Sequence, residues 1–180
     1  MREIMPIYEF EGHSPVIDPQ AWVAPSADLI GDVHIGPHCY VGWGAILRGD
    51  HGTIIIEEGS AVEEGVIIHT STGFVCHIGR DVTLGHGATL HDATVKDYAV
   101  VGIMATLSNR SVVGQWAIIG EAALVSEDQE VQDESIAVGV PVKVIGKIQE
   151  RHKKRWTEGK RRYREFTRRN KTGLRQTGEN

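Results

Sequence analysis

Aliphatic residues recur every six positions along most of this 180-residue chain. From Val23 the step runs through Leu29, Ile35, Val41 and Leu47. It breaks, resumes at Ile78, Leu84 and Leu90, takes one short step to Val95, and continues through Val101, Leu107, Val113, Ile119 and Val125. Glycine follows many of these positions, among them Gly36, Gly42, Gly85 and Gly102, and small residues such as Ala45, Ala88 and Ala105 recur four places after them. A six-residue period is the mark of a parallel β-helix. Each hexapeptide predicts one short strand and one tight turn, and three of them close a triangular coil of about eighteen residues. The aliphatic residue points into the prism and stacks on its counterpart one coil away. The pattern covers roughly 125 residues, which predicts about seven coils.

The period stops near Pro141. Between Lys147 and Arg169 the spacing turns helical, with Ile148, His152, Trp156, Tyr163 and Phe166 near one face. Gly159 weakens that helix without forbidding it. The chain therefore divides into a β-helix over residues 1–142 and a basic helix and tail over residues 143–180, loose beyond Asn170. Charge divides in the same place. Residues 143–180 carry 14 Lys or Arg against 4 Asp or Glu, a net of +10; residues 1–142 carry 5 against 20, a net of −15, and the two sum to −5. A basic helix suggests nucleic acid or a membrane, but docking on the acidic prism of its own or a neighbouring subunit, with Trp156 buried, accounts for both halves of the asymmetry. Neither nucleic acid nor a membrane is expected as a partner.

Composition narrows the class further. No apolar run is long enough to span a bilayer. Met1 to Phe10 lacks the apolar stretch of a signal peptide, and Met5 is an alternative start. Cys39 and Cys76 suggest no disulfide framework and read as small buried hydrophobes. These features predict a soluble cytoplasmic protein.

Nine histidines are present. Six of them, His13, His34, His38, His51, His77 and His152, read as solvated or hydrogen-bonded surface residues. His69, His86 and His91 stand apart. The segment Gly85-His-Gly-Ala-Thr-Leu-His91 places two histidines in regular register, where small or apolar residues would pack more cheaply. His69 and His91 are 22 residues apart, four more than one coil. If Thr70 to Cys76 (TSTGFVC) bulges out, the two stack on one edge in adjacent coils. His86 then lies almost one side of the triangle away and reaches their metal only from a neighbouring subunit. Three histidines and an open fourth position suit a catalytic metal site, and three shared interfaces close a homotrimer.

These motifs carry a resemblance. Arg48-Gly-Asp50, Ile68-His69, Gly85-His86 through His91, Val101-Gly-Ile-Met104-Ala and Gly139-Val-Pro141-Val-Lys143 resemble the γ-class carbonic anhydrase-like left-handed β-helix proteins, over about Pro6 to Lys143. The opening Ile30 to Gly42 and the basic tail look most like the phenylacetate-degradation and carnitine-operon branch, some members of which are linked to coenzyme A thioesters. The resemblance implies an all-β, left-handed β-helix with a C-terminal α-helix. It also implies a trimer holding zinc, or iron under anaerobic conditions, at each interface; imidazole ligands also suit cobalt. Carried over by motif, His69 and His91 are one chain's ligands and His86 the neighbour's. Arg48 and Asp50 match a pair that bridges subunits beside the metal, and His51 falls where the family's archetype carries an acidic proton shuttle. Three positions depart from the pattern. Glu63 stands where a Gln positions the metal-bound solvent, Ala61 stands for an Asn, and Ala137 stands for a Tyr. An ionised carboxylate only accepts hydrogen bonds and cannot replace an amide donor.

The leading expectation is metal-assisted hydration of CO2 to bicarbonate, with Glu63 and His51 as proton acceptors. The altered positions raise a second, metal-dependent hydrolysis of acyl-CoA thioesters. A hexapeptide acyltransferase shares the fold, and a non-catalytic assembly subunit is the reading outside enzymology.

Overall fold

The computed structural model describes residues 6–178; Met5 and the rest of residues 1–5 lie outside that range. The chain winds into a left-handed parallel β-helix of about seven turns followed by one C-terminal helix. Three aliphatic columns fill the prism. One stacks Val23, Val41, Val62, Leu84, Val101, Ile119 and Ala137. The second stacks Leu29, Leu47, Ile68, Leu90, Leu107 and Val125. The third stacks Ile17, Ile35, Ile56, Ile78, Val95, Val113 and Val131. The small residues Ala45, Ala88, Ala105 and Ala117 are fully buried beside them. So are Cys39 and Cys76, which are free, and burial pushes both thiols up to about 12.

The coils are unequal, and the inequality has one location. The steps from Val41 to Val62, Val62 to Leu84 and Leu84 to Val101 are 21, 22 and 17 residues, read from the register. All the variation lies at the corner between the second and third columns. That corner runs six residues from Leu29 to Ile35 and from Leu107 to Val113. It runs nine from Leu47 to Ile56, ten from Ile68 to Ile78 and five from Leu90 to Val95. The two enlarged loops pack on each other at Gly52, where a Cβ would lie 2.4 Å from the Phe74 carbonyl oxygen and 2.6 Å from that of Ser71. Backbone cannot yield there, so only glycine fits.

The chain closes the prism with Lys143–Lys147, antiparallel to Ser135–Val138, and then forms α1 (Glu150–Gly173). The helix starts three residues later and ends four residues later than the spacing predicts, so Ile148 precedes it and Lys171 to Gly173, expected in the loose tail, belong to it. Its start is a capping box between Gln149 and His152. The face on the prism also differs from the apolar stripe. Lys160 and Thr167 are its buried residues, Trp156 and Tyr163 are half-buried, and Phe166 is exposed. The reason is polar docking. Arg164 pairs with Asp81 at 2.8 Å and Lys153 with Glu134 at 2.6 Å, while Thr167 donates to the Cys39 carbonyl at 3.4 Å. The basic helix thus sits on the acidic prism of its own chain. No helix among the described residues is long and apolar enough to cross a membrane.

Lys160 donates to Thr83 Oγ1 (3.2 Å) and the Ala99 carbonyl (3.3 Å), with no carboxylate among the described residues bonded to it. Burial pushes its ammonium down to about 7, against the charges of Asp81 and Glu63. In the unfolded chain a lysine titrates near 10.4. Between those values the unfolded chain binds more protons, so stability rises with pH from about 7 to about 10 and is lost as pH falls back through that window. Lys160→Met is expected to raise the denaturation midpoint at pH 7 and to flatten the pH dependence above it; an unchanged slope refutes the assignment. Leu107→Ala, between Leu90 and Val125 in the second column, is expected to destabilise by about 2–5 kcal/mol in urea unfolding.

Candidate metal centre

The irregular corner is where most of the candidate residues meet. His69 ends strand Ile67–His69, His91 ends strand Thr89–His91, and the two are direct register partners. Arg48 is the register partner of His69 one coil away, on strand Ile46–Ile56. The enlarged loop from Thr70 to Phe74 absorbs the four extra residues and leaves the histidines stacked.

The chemistry of the pair follows from its partners. His69 Nδ1 and His91 Nε2 face each other at 3.0 Å. Each ring has a carboxylate at its other nitrogen. His69 Nε2 donates to Asp50 Oδ1 at 3.1 Å, and His91 Nδ1 lies 3.2 Å from Asp92 Oδ2, off-line for a full hydrogen bond. A carboxylate only accepts, so a proton on each outer nitrogen leaves a lone pair on each inner one. Two lone pairs at 3.0 Å repel unless a cation or a proton lies between them. Zinc at about 2.0–2.1 Å from two imidazoles in tetrahedral geometry holds their nitrogens roughly 3.3 Å apart. The donor set therefore fits a divalent metal, and carboxylates behind ligating histidines are the usual outer support for such a site.

Burial, then the Arg48 charge, pull the His69 imidazole below its ordinary value, against Asp50. This keeps the ring in the neutral form that ligates metals. Burial works against the Asp50 carboxylate, but the Arg48 hydrogen bond (2.7 Å) and charge hold it below the usual range. Arg48 and Asp50 thus pair with each other inside one chain. His51 is exposed, its ring centroid 6.3 Å from that of His69. Asp50 and His51 also line a cleft of about 370 Å³ walled by Phe10, His13 and Phe74.

His86 and Glu63 belong elsewhere. They lie at the regular corner between the first and second columns, one side of the triangle from His91. His86 Nε2 is 3.2 Å from Glu63 Oε2, and His86 Nδ1 is 2.8 Å from Glu64 Oε2. The His86 side chain is 48% exposed. Burial, foremost, pushes the Glu63 carboxyl up, against a Tyr163 hydrogen bond and the His86 charge. No group of three metal-ligating side chains gathers within one chain among the described residues. The structure therefore brings together His69, His91, Arg48, Asp50 and His51, and places His86 with Glu63 in a second cluster.

The roles of three residues escaped the sequence reading. Asp92 is buried at a φ of 50°, behind His91, and ties the neighbouring loop through the Ser71 amide (2.6 Å) and hydroxyl (2.8 Å). The short step from Leu90 to Val95 was its only signal. Glu64 carried none, because its partners His86 and Tyr40 lie 22 and 24 residues away in sequence, and Tyr163 carried none, because its role depends on how α1 lies on the prism. Of the six histidines read as surface residues, His34 bonds Asp32 and His77 bonds Glu57, both at 2.8 Å.

No family model matches the chain. It is 35% identical over 175 residues to the carnitine operon protein CaiE of Salmonella agona, covering 96% of this chain and 87% of that one. It is 32% identical over 153 residues to the mitochondrial γ carbonic anhydrase 1 of Arabidopsis thaliana, which covers 82% of this chain and 54% of that protein. Among solved structures, a hexapeptide transferase family protein of Anaplasma phagocytophilum aligns with a TM-score of 0.86 at 29% identity, over 93% of this chain and 98% of that one.

Asp92→Ala removes a hydrogen bond to a charged acceptor, an interaction of about 1.5–3 kcal/mol. The Ser71 amide is expected to exchange roughly 10-fold to 100-fold faster, with the Gly102 amide unchanged; equal exchange at Ser71 refutes the tether.

Proposed function

We propose that this chain, which belongs to the γ-carbonic anhydrase-like hexapeptide-repeat family on its carnitine-operon branch, hydrates CO2 to bicarbonate at a metal shared between the subunits of a homotrimer. The comparisons support an enzyme of the γ-carbonic anhydrase and hexapeptide transferase superfamily. The observation that carries the finer reading is the His69–His91 pair, whose facing nitrogens lie 3.0 Å apart with a carboxylate behind each ring. His69 and His91 would hold the metal from one chain and exposed His86 from the next, with zinc, iron or cobalt all suited to imidazole. When bound, the metal lowers the pKa of water toward neutrality.

The chain's own residues supply the rest. Hydration adds water to the carbon of CO2 and releases one proton. His51 is exposed beside His69, and an imidazole there can take that proton and release it to solvent. Asp50 accepts from His69 and from Arg48, so it fixes the ring and spreads the Arg48 charge. Glu63 would reach the shared site together with the neighbour's His86, as a second proton acceptor.

A second reading has its own observation. The cleft of about 370 Å³ beside Asp50 and His51 is far larger than CO2 needs, and Phe10, Phe74 and Val75 give it an apolar side opposite Asp32, His13 and Thr53. Such a cleft suits an acyl group, and the same site would then hydrolyse an acyl-CoA thioester. A hexapeptide acyltransferase would instead need no metal.

Stopped-flow CO2 hydration on zinc-loaded protein, and on iron-loaded protein without oxygen, tests the first reading. Turnover is expected to vanish with chelator and with His91→Ala, and His51→Ala is expected to slow it most in weak buffer. Metal-dependent thiol release from acyl-CoA without hydration moves the assignment to the thioesterase. Acetyl transfer by metal-free protein overturns both.

A further inference from the structure

Resting on the metal-centre reading above, we propose that α1 is part of the His86 half of the site: Tyr163, with Tyr40, is a positioning residue that fixes Glu63 and Glu64, and through them the His86 ring. His86 sits on a turn between Gly85 and Gly87, and Gly87 has a φ of +67°. Nearly half its side chain is exposed, so packing does not set the ring angle. What touches its nitrogens are the two carboxylates, Glu63 at 3.2 Å and Glu64 at 2.8 Å. The Glu63 carboxylate also accepts from the His86 backbone amide at 3.2 Å.

Glutamates are flexible, and these two are anchored by tyrosines. Tyr163 packs edge-on against Tyr40, which puts its hydroxyl beside the buried Glu63 carboxylate. The Tyr40 hydroxyl donates to Glu64 Oε1 at 2.6 Å. The two tyrosine rings meet edge-on at 5.1 Å, and Trp22 stacks on Tyr40 at 5.0 Å. Tyr163 cannot drift, because Lys160 and Arg164 bind the prism in adjacent turns and Thr167 binds it one turn on. A path of contacts therefore runs from the helix, through Tyr163 and Glu63, to the His86 amide. To ligate, the ring gives up one of its two carboxylate contacts, and the one that remains, with the Glu63 hold on the His86 amide, is the outer partner that sets the angle of a ligand arriving across an interface. The tyrosine reaches Glu63 from the helix, whereas the β-helix itself carries Ala137 where a tyrosine was expected.

The test uses the full-length chain labelled with 15N-histidine, first metal-free and then titrated with zinc against a competing chelator. Loss of signal in His86→Gln assigns the ring. Tyr163→Phe is expected to keep helix content and oligomeric state, to shift and broaden the His86 ring signals, and to leave those of His69 and His91 in place. Zinc affinity is expected to fall roughly 10-fold, the low end for an outer partner. Tyr40→Phe, which leaves α1 untouched, is expected to shift the same His86 signals, and it decides the matter if Tyr163→Phe loses helix. Arg161→Ala, on the exposed side of the helix, is expected to change nothing. His86 signals identical to the parent in both tyrosine variants overturn the proposal. A parent chain that takes up no zinc overturns the metal-centre reading instead, and the metal-free His86 signals still decide the role of the tyrosines.

Discussion

Three aliphatic columns run the length of the prism, and everything else hangs from their register. Each inward residue stacks on aliphatic residues of the neighbouring coils, at the distance that hydrogen-bonded parallel strands impose. Leu84 is fixed between Val62 and Val101, and Leu90 between Ile68 and Leu107. A slip of one residue would turn every aliphatic side chain out of the prism, so the register has no neighbouring alternative. A coil that gains or loses residues can therefore do so only at a corner. This chain places all its irregular steps at one corner, where corresponding segments run nine, ten and five residues instead of six.

That corner explains the chemistry beside it. The two enlarged loops make room for Asp50, His51 and the cleft walled by Phe74, and the shortened one turns Asp92 back under the histidines. The strands just before the corner remain in register, which is why His69 and His91 face each other. The backbone supplies the rigidity and the altered corner supplies the carboxylates. One side of the triangle away, an unaltered corner carries His86. Its support comes from two glutamates and Tyr40 of the prism and from Tyr163 of α1.

The helix completes the charge balance. Arginine and lysine on α1 pair with Asp81 and Glu134 of the prism, and the buried Lys160 is held by neutral acceptors. The long basic side chains lay their stems along the prism and keep most of their charge at the rim. This is why the most buried helix positions are not the most apolar ones.

The sequence by itself determined the prism, its three columns, the bulge after His69 and the stacking of His69 on His91. All of these follow from counting residues against a fixed six-residue step, and a parallel solenoid turns such counts directly into positions. It also placed His86 on a different corner, because a shift of five residues is nearly one side of the triangle. Only the tertiary structure decided the rest. Asp92 acts from a backbone turn that no period encodes. Glu63 separates from His69 and joins His86 because the two share a corner across 23 residues of sequence. Tyr163 meets Glu63 because α1 docks through lysine and arginine, and the face that such a helix presents depends on partners a hundred residues away.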